Sequence, residues 1–231
     1  MLLVLESFNE NLEILIVKLQ HCSSISSIEL QQFYKKNQDG EEHFLLRTLD
    51  SRINSLQFYD IITQKLQHII AQNRRLIKEL RDIIQYGFRP QAQHFIIICP
   101  ELMLLQQAVL GLIRNEYMRE INEMESQFVQ VPRELIPRQA IDIELGRHKT
   151  EIQYMLDEIL SQIPCLDASF IRNTHQEVLE TKRLRLQQVL SEFTMNTERE
   201  LFCQLFEQHP VMEKLHLPVE EDKQDDEIEL F

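Results

Sequence analysis

Glycine is scarce in this chain, at 4 of 231 residues, and proline reaches only 7. β-Sandwiches and barrels need a turn every ten residues or so, built mostly from those two residue types. Nucleotide-binding α/β folds need glycine loops whose backbone N–H groups close on a phosphate. Neither can be built from so few. The 4 cysteines, Cys22, Cys99, Cys165 and Cys203, are widely spaced without a CxxC pair. Free, buried thiols in a reducing compartment are therefore expected. No uncharged apolar run of about 18 residues stands out, so no transmembrane helix is predicted. The apolar start carries Glu6, Glu10 and Glu13 and has no basic stretch before it, which argues against a signal peptide. The expectation is a soluble cytoplasmic protein with no membrane partner.

What is present points one way. Leu, Ile, Gln and Glu dominate, and hydrophobic residues make up 43% of the chain, enough for a packed core. The fold class this predicts is all-α. The charge balance is 24 basic against 37 acidic residues, a net −13, which repels a phosphate backbone and predicts no nucleic-acid partner. About half of that excess sits in the last thirteen residues, VEEDKQDDEIELF.

Along the chain, residues 1–40 read as N-terminal helices. The first runs over Leu2–Gln20, with Leu5, Phe8, Leu12, Ile16 and Leu19 at helical spacing. The cluster Ser23–Ser27 predicts its end and offers caps for a short second helix. Asn37-Gln38-Asp39-Gly40 is the next break. Residues 41–131 read as a long helical hairpin. Its first arm, Glu41–Tyr86, has an apolar stripe of Leu49, Ile53, Leu56, Leu66, Ile70, Ile77, Leu80 and Ile84. Forty-odd residues at 1.5 Å each span about 65 Å, which demands a helical partner. Gly87 and Pro90 end that arm. FIIIC at 95–99 reads as a packed linker or helix start, and Glu101–Gln130 as the second arm, with Pro100 in its first turn. Residues 132–209 read as C-terminal helices packed on the hairpin, at Arg138–Gln162 and Asp167–Glu207. Residues 210–231 read as a flexible acidic tail, disordered when free. The architecture expected is an elongated antiparallel bundle, and its long apolar stripes fit a homodimer.

Most familiar chemistry is missing. The histidines form no metal-ligand spacing, and there is no GxSxG, no phosphate loop and no activated thiolate. The runs Arg74, Arg75, Lys78, Arg81 and Lys182, Arg183, Arg185 read as solvated helix faces. Phe193, Phe202 and Phe206 read as core. One constellation stands apart. Asp60 and Gln64 are four residues apart on the long helix, beside its apolar stripe, so they are neighbours on one face. An acid and an amide one turn apart suit hydrolysis of an aspartyl phosphate, which needs a water held in line with the phosphoryl group. The Gln amide can orient that water without ionising, and the Asp can pair with a lysine of the phosphoprotein.

The segment Phe58-Tyr59-Asp60-Ile61-Ile62-Thr63-Gln64 resembles the FQDxxxQ segment of the CheZ chemotaxis phosphatases, long-helix hairpin dimers acting on the CheY response regulator. The resemblance implies that Asp60 contacts the lysine of a CheY-like response regulator and that Gln64 orients the hydrolytic water. It implies no cofactor on this chain, because the receiver supplies Mg²⁺. CheZ proteins also end in an acidic linker and a short amphipathic segment that tethers the regulator. Asp225, Asp226, Glu227, Ile228, Glu229, Leu230 and Phe231 have that layout, with Ile228, Leu230 and Phe231 as apolar anchors and Asp225 and Asp226 guiding approach. In that family the motif lies in the second half of the hairpin, whereas here the sequence places it in the first long arm. The alternative is a non-enzymatic helical adaptor, or a secreted effector, in which Asp60 and Gln64 are ordinary polar positions.

Overall fold

The computed structural model describes residues 2–36, 42–87, 95–129, 138–163, 176–207 and 209. They form an all-α structure, with no strand among them. In chain order the helices are α1 (Leu2–Lys36), α2 (Glu42–Tyr86), α3 (Cys99–Val129), α4 (Arg138–Gln162), α5 (Gln176–Glu192) and α6 (Asn196–Phe206). A 3₁₀ turn, Phe95–Ile98, leads into α3.

Their contacts close a ring of four, α1 on α2, α2 on α3, α3 on α4 and α4 back on α1. The cross-links give the directions. Glu6 meets Arg81 while Glu13 meets Arg74, so α1 and α2 run antiparallel. Lys65 meets Glu116 while Asn73 meets Gln106, which sets α2 antiparallel to α3. Asn11 meets Gln162 and Lys18 meets Glu151, which sets α4 antiparallel to α1. The core is apolar and continuous. It runs through Leu12, Leu15 and Leu19 of α1, Ile62, Leu66 and Leu76 of α2, and Leu102, Leu110 and Ile113 of α3. Ile152 and Leu156 of α4 and Leu186 and Leu190 of α5 complete it.

Several boundaries fall where the residues demand. Gly87 takes φ +79, and its N–H donates to the Ile83 carbonyl at 2.9 Å, closing α2 with a left-handed C-terminal residue. The Phe95 and Ile96 N–H groups both donate to the Glu79 carboxylate, at 2.9 and 2.5 Å, so an acid on α2 caps the start of the 3₁₀ turn. Phe193, Phe202 and Phe206 are buried as expected and form a run of edge-on rings. Asn37–Gly40, Pro164 and Asp167, and the side chains of Leu49, Ile53 and Leu56, lie outside the described residues.

Four expectations need correction. First, α1 does not stop at the serines but continues to Lys36, because Ser24 Oγ bonds back to the Gln20 carbonyl at 2.9 Å and sits inside the helix. Second, the most extensive partner of α2 is therefore α1 rather than α3. Third, the stretch read as one helix to Glu207 breaks at Phe193–Met195. Met195 is extended (φ −104, ψ 137) and Arg199 Nε donates to the Phe193 carbonyl at 3.0 Å, replacing the lost helical bond. Fourth, Ile84 is 72% exposed, since it lies in the last turn of α2, level with the start of α1. Phe95–Glu123 is long and apolar enough to cross a membrane by length and composition, with Glu101 the lone charge up to Ile113. In this structure Leu102, Leu105, Leu110, Ile113 and Tyr117 of that segment are packed inside the ring of helices.

A buried amide chain ties three helices together. Gln106 Nε2 donates to Asn73 Oδ1 at 2.9 Å, and Asn73 Nδ2 donates to Asn9 Oδ1 at 3.0 Å. Asn73 is wholly buried, so Asn73→Leu leaves two buried amides without their partner. The expected cost is about 2–4 kcal/mol, read as a lower urea midpoint with an unchanged slope.

Candidate functional site on the exposed face of α2

Asp60 and Gln64 are both solvent-exposed, and Ile61 between them is 42% exposed. Among the described residues neither polar side chain makes a hydrogen bond or an ion pair. The opposite side of the same two turns is tightly held. Phe58, Tyr59, Ile62 and Leu66 are buried, and Phe58 stacks on Tyr117 of α3 with ring centroids 6.2 Å apart. Burial, then the neighbouring Tyr59 and Cys22, pushes the Tyr117 hydroxyl far above its ordinary range, so it stays neutral. Lys65 is 1% exposed and donates to Glu116 Oε2 at 2.7 Å, adding a charged clamp between α2 and α3. The backbone under Asp60 and Gln64 is thus anchored while their side chains point outward unpaired.

The neighbouring basic run is not free. Arg74 pairs with Glu13 at 2.7 Å and Arg81 with Glu6 at 2.5 Å, both across to α1. Arg75 pairs with Glu192 of α5, and its guanidinium lies 5.8 Å from the Phe95 ring centroid. Three of the four positions read as a solvated face therefore join helices.

One turn beyond Gln64 stands His68. Its Nδ1 is 3.0 Å from both carboxylate oxygens of Glu198, a residue in the first turn of α6 that is fully buried. The ring packs against Phe193 at 5.9 Å. The spacing of the histidines in the sequence singles out none of them, His68 included. The 60–64–68 spacing was visible, but its partner lies 130 residues away, and nothing local announces that contact.

A second charged centre lies at the start of α3. Glu101, fully buried, accepts from Lys182 Nζ of α5 at 2.5 Å, with His209 Nε2 at 3.6 Å. Burial opposes ionisation of Glu101, but the nearby His209 ring, the hydrogen bond from Lys182 and the lysine charge outweigh it and hold the carboxyl below its ordinary range. Lys182 was expected on a solvated face and is instead buried, because it answers a buried carboxylate.

The three described thiols, Cys22, Cys99 and Cys203, are unactivated. Burial, helped by Glu151 and opposed by Lys18, pushes Cys22 up to about 11, and burial also raises Cys99 and Cys203. Among the described residues no group of three His, Cys, Asp or Glu could hold a metal ion. The tail positions Asp225, Asp226, Ile228, Leu230 and Phe231 lie outside the described residues. No protein-family model matches the chain, and neither a curated protein nor a solved structure matches it.

Proposed function

We propose that this protein is a CheZ-like phosphatase that accelerates hydrolysis of the phosphoaspartate of a CheY-like response regulator. The observation that carries this reading is the pair Asp60 and Gln64, exposed and without partners among the described residues, on a helix anchored from behind. A surface carboxylate and amide held at one spacing can meet a docked receiver without reorganising. The pairing of α1 with α2 adds support, since it puts the motif in the second arm of an antiparallel hairpin, its place in the family. The receiver supplies Mg²⁺ and most phosphate ligands; Gln64 orients the attacking water, and Asp60 engages the receiver lysine.

Asp60→Ala tests the docking half of this reading. Phosphate release from a phosphorylated receiver is expected to slow, and the receiver concentration giving half-maximal acceleration to rise about tenfold, as an interfacial charge pair is lost. Unchanged values on both counts would remove Asp60 from the interface. The tail has its own test. Each buried apolar side chain contributes about 1.5–3 kcal/mol, offset by the cost of ordering a free segment. Deleting residues 225–231 is therefore expected to weaken receiver binding and leave the melting temperature unchanged. Equal affinity with and without the tail would reject the tether.

An adaptor reading draws on a different observation. Leu3, Val4, Ile84 and Tyr86 are 80%, 60%, 72% and 63% exposed, and the Glu6–Arg81 pair brings their two helix ends together. Such an apolar patch suits a protein partner.

A further inference from the structure

We infer that His68, oriented by Glu198, is a third catalytic residue of the α2 face and takes the proton of the attacking water. This rests on the phosphatase reading and extends it. Asp60, Gln64 and His68 occupy three successive turns, so the Gln64 amide and the His68 ring are neighbours along the helix. Glu198 accepts from Nδ1–H through both oxygens, at 3.0 Å, which leaves the lone pair of the neutral ring on Nε2. The His68 side chain is 20% exposed against 0% for Glu198, and its hydrogen bonds with described residues are made by Nδ1. The imidazole is therefore braced by a buried carboxylate and partly exposed, one helical turn from Gln64. The buried carboxylate has no other described partner, and it lies in the first turn of α6, where the helix dipole favours negative charge.

The step balances without a further reactant. The water oxygen attacks phosphorus while the P–O bond to the receiver aspartate breaks. The aspartate leaves as a carboxylate with the bonding pair, inorganic phosphate forms, and the released proton goes to Nε2 and then to solvent. Several charged groups on the packed elements are engaged elsewhere. Glu116 of α3 holds Lys65, Glu192 of α5 holds Arg75, Glu13 of α1 holds Arg74, and Arg199 of α6 binds the Phe193 carbonyl. On α2 itself Asp60 is the exposed carboxylate of this face.

The test is phosphate release from a CheY-type receiver loaded with acetyl phosphate, followed against pH. His68→Asn is the variant of choice, because its amide can still donate to Glu198 from the Nδ1 position while Nε2 is gone. H68N is expected to lower maximal acceleration about 10²-fold, the small end for a general base in so loose a transition state, and to flatten the pH profile. The half-saturating receiver concentration should not move. Glu198→Gln, which keeps the shape but removes the carboxylate that orients Nδ1–H, should lower the maximal acceleration without moving the half-saturating receiver concentration. A wild-type rate and profile in H68N, alongside a dead Gln64→Ala, would overturn the inference and leave the phosphatase reading standing. No acceleration by the wild-type protein would overturn both.

Discussion

Lys182→Met is expected to destabilise the protein by about 3–5 kcal/mol, because it strands a buried carboxylate. Glu101 is fully buried, Lys182 is its closest cation at 2.5 Å, and its second oxygen has no hydrogen-bond partner. In a chain this long the loss should lower the melting temperature by about 6 °C or more. The dependence on pH has a definite sign. The folded-state Glu101 carboxyl sits below its ordinary value, so its stabilisation is present above that value and lost as pH falls through the folded one. The gap between wild type and variant should therefore be widest near neutrality and close on acidification. Adding Glu101→Leu to Lys182→Met should recover most of the loss, since an apolar pair has no charge to desolvate. A single variant that melts with wild type would show that Glu101 is not the buried anion described above.

Gln64→Ala is expected to slow phosphoaspartate hydrolysis about 10²-fold or more while leaving receiver binding nearly intact. A side-chain amide that orients water acts on the transition state, and removing it lowers the rate without changing ground-state affinity. The magnitude follows from groups that complete a preorganised electrostatic site, each costing about 10²–10³ when deleted. Folding should not suffer, because Gln64 is exposed and Ala is the better helix former. Retained binding with retained rate would favour the adaptor reading and its apolar patch at Leu3, Val4, Ile84 and Tyr86.

Helical character was legible because it is local. The spacing of Leu5, Phe8, Leu12, Ile16 and Leu19 already draws the buried face of α1, and every one of them is buried. Gly87 marks the end of α2 because its conformation there is one that a side chain resists. What the sequence concealed depends on contacts distant along the chain. The serines at 23–27 carry a strong break signal, but a hydroxyl that bonds back to the preceding turn satisfies itself within the helix. Lys182 looks like one cation in a basic run until Glu101, 81 residues earlier, is found beside it. Asp60 and Gln64 could be found from spacing on a single helix. The Glu198 that braces His68 could not, since α6 had to fold back onto α2 first.

The central claim is that the exposed Asp60–Gln64 face acts on a receiver phosphoaspartate, and phosphate release at substoichiometric protein tests it most directly. Receiver domains from the same organism would be loaded with acetyl phosphate, freed of excess donor, and followed with and without this protein. The prediction is a shortened phosphoaspartate lifetime for one of them, with more phosphate released than protein added, and loss of the effect in Gln64→Ala. Identical lifetimes with and without the protein, across every receiver of that organism, would contradict it.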